Sequence, residues 1–98
     1  MARVTRSPLD PSALLAEARR DGDGGLTLFV GVVRDNADGR PVTAMEYEAY
    51  EPMAEAEMER IGADLAARFP GVRLVARHRI GRLLVGEIAV VVAASAPH

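Results

Sequence analysis

Two residues stand where this chain could do chemistry. Arg34 follows the hydrophobic run LTLFVGVV, and His98 closes a second run, IAVVVAASAP. A guanidinium is planar and permanently charged, so its fork suits a phosphate or a carboxylate. An imidazole can donate a hydrogen bond or move a proton near neutral pH. Groups at the ends of rigid strands are well placed to meet ligands. Each residue also has a plainer reading: Arg34 as a solvated strand end, His98 as a terminal residue without a role.

Other side chains narrow the chemistry. The second histidine, His78, lies on the apolar side of a strand pattern and reads as a satisfied structural residue. The histidines are far from helical i, i+4 spacing and there is no cysteine, so no metal site is expected. All 12 basic residues are arginine. GC-rich coding explains such a bias, yet it leaves no lysine amine as nucleophile, base or point-charge phosphate binder. Arg40, Arg77, Arg79 and Arg82 would either extend a positive patch or be solvated. Glu46, Glu48 and Glu51 suggest paired carboxylates, which an exposed strand face explains without catalysis. Asp21–Gly25 reads as a connection. A phosphate-cradling loop is the sharper alternative, but neither the Gly-Lys-Ser/Thr nor the GxGxxG spacing follows.

The elements that must position these groups can be read in order. Arg3–Arg6 suggests an edge strand. Asp10-Pro11 is a helix start, because the carboxylate can cap free N–H groups and proline fits the first turn. Leu14, Leu15 and Ala18 then share a face. Leu26–Val33 is rich in branched and aromatic residues and nearly continuous in hydrophobicity, which predicts a strand covered on both faces. Asp38-Gly39 is a turn signal. Val42–Tyr50 alternates, with Thr43, Met45, Tyr47 and Ala49 as the expected core side, so Gly25–Tyr50 reads as a hairpin. Pro52 to about Phe69 carries an apolar helical stripe of Ala54, Met58, Ile61, Leu65 and Phe69, stopped by Pro70-Gly71. In Val72–Ile80, Val72, Leu74, Ala76 and His78 form one face, with Arg73, Arg77 and Arg79 on the other. Gly81–Gly86 reads as a link, and Glu87–Ala94 as a last apolar strand. The expected fold is α+β, order α-β-β-α-β-β, with a largely antiparallel sheet.

At 98 residues the chain suits one domain with a thin core, for which an oligomer would help. A composition of 49% hydrophobic and 27% charged residues argues against disorder. The net charge of −2 provides no global footprint for nucleic acid. No apolar run is long enough for a membrane helix, and the absence of cysteine suits a cytoplasmic location.

Four segments in order, VGVVRD, YEAYEPMA, HRIGRLLVGE and ASAPH, resemble the large, catalytic subunit of molybdopterin synthase. The resemblance runs from about Gly25 to His98. It implies an α/β-hammerhead fold and a homodimer. It also implies a small ubiquitin-like sulfur-carrier partner with a C-terminal thiocarboxylate, hence a heterotetramer with two carriers. The implied reaction inserts sulfur into cyclic pyranopterin monophosphate to form the molybdopterin dithiolene, with no cofactor. Residue by residue, Arg34 matches the family's substrate-binding arginine, with Val32 and Val33 beside it. His98 matches the histidine of its pocket motif, a substrate-binding and catalytic position. Arg34 and His98 are thus expected as two walls of one phosphate pocket.

The sequence departs from the family pattern in one respect. A lysine-rich PxWKKE-type segment, which supplies the family's catalytic lysines, is absent from residues 1–98, expected as a single but C-terminally incomplete domain. This stretch alone is therefore expected to lack sulfur-transfer activity. Two rival readings are a non-catalytic dimer- and carrier-binding module of the same fold and a generic small-ligand-binding domain.

Overall fold

A computed structural model describes residues 3–47 and 51–98, with Glu51 described only through its backbone. The elements are β1 (Val4–Thr5), α1 (Pro11–Ala18), β2 (Gly25–Val32), β3 (Asn36–Ala37), β4 (Arg40–Pro41), β5 (Ala44–Tyr47), α2 (Glu51–Arg68), β6 (Arg73–Arg79), β7 (Gly81–Leu84) and β8 (Ile88–Ala96). The main sheet has the order β1-β6-β8-β2 and is antiparallel except for the short β1–β6 pair. Thus the α+β class and the largely antiparallel sheet expected from the sequence are present, with more strands than expected.

Local chemistry sets the two helices. The Asp10 carboxylate accepts from Ser12 N at 3.0 Å, and Pro11 occupies the first turn of α1. Leu14 and Ala18 then bury against Val75, Val91 and Ala93 of the sheet, forming the main core. Helix α2 lies against the opposite face, beside Val72, Leu74 and Ala76. Its stripe is only partly covered: Ala54, Met58 and Leu65 are half-buried, whereas Ile61 and Phe69 are exposed. The expected core stripe is therefore a shallow contact.

A carboxylate fixes the first turns of α2. Glu55 accepts from Arg3 N at 2.7 Å and also from Val4 N, tying the helix to β1. Burial pushes the Glu55 carboxyl up, but these N–H donors and the Arg3 charge outweigh it, leaving it below the usual carboxylate range. A depressed folded-state pKa stabilises above the unfolded value and is lost as pH falls through the folded one. Acidification is thus expected to loosen α2 from β1 only below the ordinary carboxylate range. Hydrogen exchange of the Arg3 and Val4 amides against pH, compared with Glu55→Gln, checks this. Protection that is lost already within that range, or that stays level in the wild type far below it, counts against the anchor.

Several pairings differ from the sequence reading. The stretch Gly25–Tyr50 is not one hairpin. β2 pairs with β8, and β5 pairs with β7. Between them, Asp38 (φ 51°) and Gly39 (φ 77°) close the small β3–β4 hairpin by a two-residue turn requiring left-handed backbone at both positions. The supposed link Gly81–Gly86 contains β7, whose Leu83 is fully buried with Val33 and Ala89 in a second core that Tyr47 packs against. Met45, expected inside, is exposed, and Ala49 lies outside the described residues.

Faces also differ. β2 is not covered on both sides: it is the sheet's edge, and Leu28 and Phe29 are 41% and 60% exposed. In β6 the side carrying Val75 and the arginines faces α1. Arg77 Nη2 binds both Glu17 oxygens at 2.9 and 3.0 Å, and Arg79 Nη1 binds Glu87 at 2.7 Å. Both arginine side chains are largely buried. Ion pairing, not solvation, accounts for the alternation of β6.

Candidate functional site

Arg34 follows β2 at a point where the strand changes register. Gly31 pairs with Val90 but Val32 with Ile88, a bulge of one residue in β8. A Cβ on Gly31 would lie 2.6 Å from Val90 Cγ1, so this crossing needs glycine. Past the bulge Val33 turns inward, 2% exposed, while Val32 and Arg34 are exposed. Val33 N donates to Glu87 O at 3.0 Å and Gly86 N to Val33 O at 2.9 Å. The Val33 side chain and both its main-chain groups are thereby committed. It supports the main chain from which Arg34 projects.

Glu87 holds that end of the site. Its carboxylate accepts from Leu84 N at 2.8 Å and from Arg79, and these bonds lower its pKa in that order. Arg34 is exposed and has no ion pair among the described residues. Arg77 and Arg79 add no positive patch because their charges meet Glu17 and Glu87. Arg40 is exposed in β4, and Arg82 stands opposite Glu46 on β5–β7.

His98 sits at the far end of the sheet. Gly25 pairs with Ala96, and Gly24 N donates to Pro97 O at 3.0 Å. His98 thus lies beside the start of β2, whereas Arg34 follows its end. Nine residues at about 3.3 Å each separate Gly25 from Arg34, so the two side chains stand roughly 30 Å apart within one chain. The single chain does not make them two walls of one pocket. Two grooves flank α2, of about 420 and 360 Å³, and neither is lined by Arg34 or His98.

His78 is structural. Its Nδ1 lies 2.8 Å from Arg79 O, so that nitrogen carries the proton, and its ring meets Tyr47 edge-on at 5.2 Å. Sequence reasoning missed Asp23, a carboxylate in a glycine-rich loop whose side chain is only 6% exposed. No local pattern marks it, because its partner Ser95 is 72 residues away. Among the described residues no cluster of three metal-ligating side chains occurs, and no helix is long and apolar enough to cross a membrane.

The fold is a small α+β domain with an exposed arginine just past one end of its edge strand and an exposed histidine past the end of the neighbouring strand. The chain belongs to the family described as MoaE protein, whose profile matches residues 4–98. A molybdopterin synthase catalytic subunit from Nostoc sp. is 44% identical over 96 residues, covering 97% of this chain and 58% of the relative. One from Drosophila willistoni is 47% identical over 93 residues, covering 94% of this chain and 25% of the relative. The crystal structure of molybdopterin synthase from Staphylococcus aureus superposes with a TM-score of 0.92 at 33% identity, covering 99% of this chain and 71% of that one. The chain thus spans 58% and 25% of the length of these two curated relatives.

Proposed function

We propose that residues 1–98 form one domain of a molybdopterin synthase catalytic subunit, acting in molybdenum cofactor biosynthesis in the cytoplasm. The observation that carries this reading is Arg34, unpaired among the described residues and held on a main chain locked by Val33 and Glu87. Its fork would hold the cyclic phosphate of the pyranopterin substrate. His98 would donate to that phosphate or move a proton as sulfur passes from the carrier's thiocarboxylate. Transfer from a thiocarboxylate depends on positioning and charge stabilisation more than on a strong base. The relatives' description as a catalytic subunit supports a second subunit as partner, and on this reading that subunit is the carrier.

The distance between Arg34 and His98 supports a homodimer, and with two carriers a heterotetramer. β2 offers a free edge of eight residues with no charged side chain. Such an edge is a template for another strand. Antiparallel pairing of two β2 edges about their centre would set Arg34 of one copy beside residues 23–25 of the other. His98 of that second copy lies one strand further on. Two inter-strand spacings, about 10 Å, would replace the roughly 30 Å within one chain.

The test is turnover by the complete subunit with thiocarboxylated carrier and cyclic pyranopterin monophosphate. Dithiolene product is expected, with Arg34→Ala lowering kcat/KM about a hundredfold. Carrier binding without product would favour the non-catalytic module. Failure to bind either carrier or pterin would leave only a generic ligand-binding domain.

A further inference from the structure

The Asp21–Gly25 loop packs against the last residues of β8, where His98 emerges. Asp23 Oδ2 accepts from Ser95 Oγ and, at 2.6 Å, from Arg20 Nε. Arg20 Nη2 donates in turn to Gly71 O at 2.7 Å and Ser95 O at 3.4 Å. Ser95 is 1% exposed, so this network is buried at its centre. The backbone closes the same junction. Gly24 N donates to Pro97 O, and a Cβ on Gly24 would lie 3.0 Å from that oxygen. A Cβ on Gly25 would lie 3.6 Å from His98 C. The loop therefore grips the chain on both sides of Ala96.

We propose that Asp23 is a positioning residue for His98, acting through Ser95 and Arg20 to fix where the end of β8 presents the imidazole. This rests on the reading of His98 as part of the site. Ser95 precedes His98 by three residues, and Ala96 and Pro97 between them are bound to Gly25 and Gly24. A hydroxyl held at Ser95 and a carbonyl held at Pro97 leave the His98 Cα little room to move. The hydrogen bonds from Ser95 and Arg20 also hold the Asp23 carboxyl below its usual range, so it stays an acceptor through neutral pH. Small displacements of a group at a reaction centre cost large factors in rate, which gives a remote carboxylate leverage over turnover.

A double-mutant cycle on kcat/KM separates positioning from simple stabilisation. In the complete subunit with its carrier, Asp23→Ala is expected to lower kcat/KM about tenfold. In a His98→Ala background the same change is expected to have no further effect. Ser95→Ala should follow the same pattern, and Asp23→Asn, which keeps an oxygen for Ser95, should recover part of the loss. If Asp23→Ala does not fold, these two variants carry the cycle. A second readout needs no turnover: in Asp23→Ala the imidazole NMR signals of His98 should shift or broaden, with those of His78 in place. Additive losses in the cycle, or an unmoved His98 signal, overturn the proposal and leave the network as a fold element. If His98→Ala itself leaves turnover intact, the role assigned to His98 fails, and the role of Asp23 with it.

Discussion

Mixing Arg34→Ala and His98→Ala copies is expected to raise activity well above that of either variant alone. If each site takes Arg34 from one copy and His98 from the other, a mixed dimer keeps one intact site and one doubly damaged site. Random exchange makes half of the dimers mixed, so activity should recover to about a quarter of the wild-type value. The arithmetic comes from the fold. Arg34 and His98 lie at opposite ends of β2, and β8 runs antiparallel beside it. A site within one chain would be damaged in every dimer, and mixing would restore nothing. Assaying the variants singly, mixed, and mixed after brief unfolding and refolding decides between the two arrangements.

The same geometry shows which features were legible in the residues and which were not. The Asp10 cap, the Asp38-Gly39 turn and the stop at Pro70-Gly71 act within a few positions, and each is present. Strand partners are not encoded locally. Period-two alternation in β5 does not say that β7 is its neighbour, and the continuous apolar run of β2 does not name β8. The arginines of β6 look like a solvated face because charge normally marks water. Here Glu17 and Glu87 meet Arg77 and Arg79 across elements, so a charged face packs against α1.

The site divides in the same way. Arg34 was visible because an arginine closing an uncharged run is a local pattern. Its separation from His98 was not, since it depends on β8 running beside β2 from end to end. The exposure of β2 was hidden for a related reason: a continuous apolar strand looks the same in the sequence whether another chain or its own sheet covers it. Leu26, Leu28, Phe29 and Val32, all exposed in the single chain, are where the proposed partner strand would pack.

Phe29→Lys is expected to convert the proposed dimer to a monomer. Phe29 is 60% exposed near the middle of β2, so the substitution removes little from the chain's own core. Pairing about the centre of β2 would bring the two introduced lysines close together on a formerly uncharged edge. Lysine on an edge strand is a device by which sheets avoid such pairing. Sedimentation should show the monomer, with circular dichroism and Tm close to wild type because α1, β6 and β8 retain their contacts. Turnover should fall as far as in Arg34→Ala, although Arg34 and His98 are both unchanged. A variant that remains dimeric would move the contact away from β2. A fully active monomer would show that one chain brings its own Arg34 and His98 to the substrate, which the roughly 30 Å between them argues against.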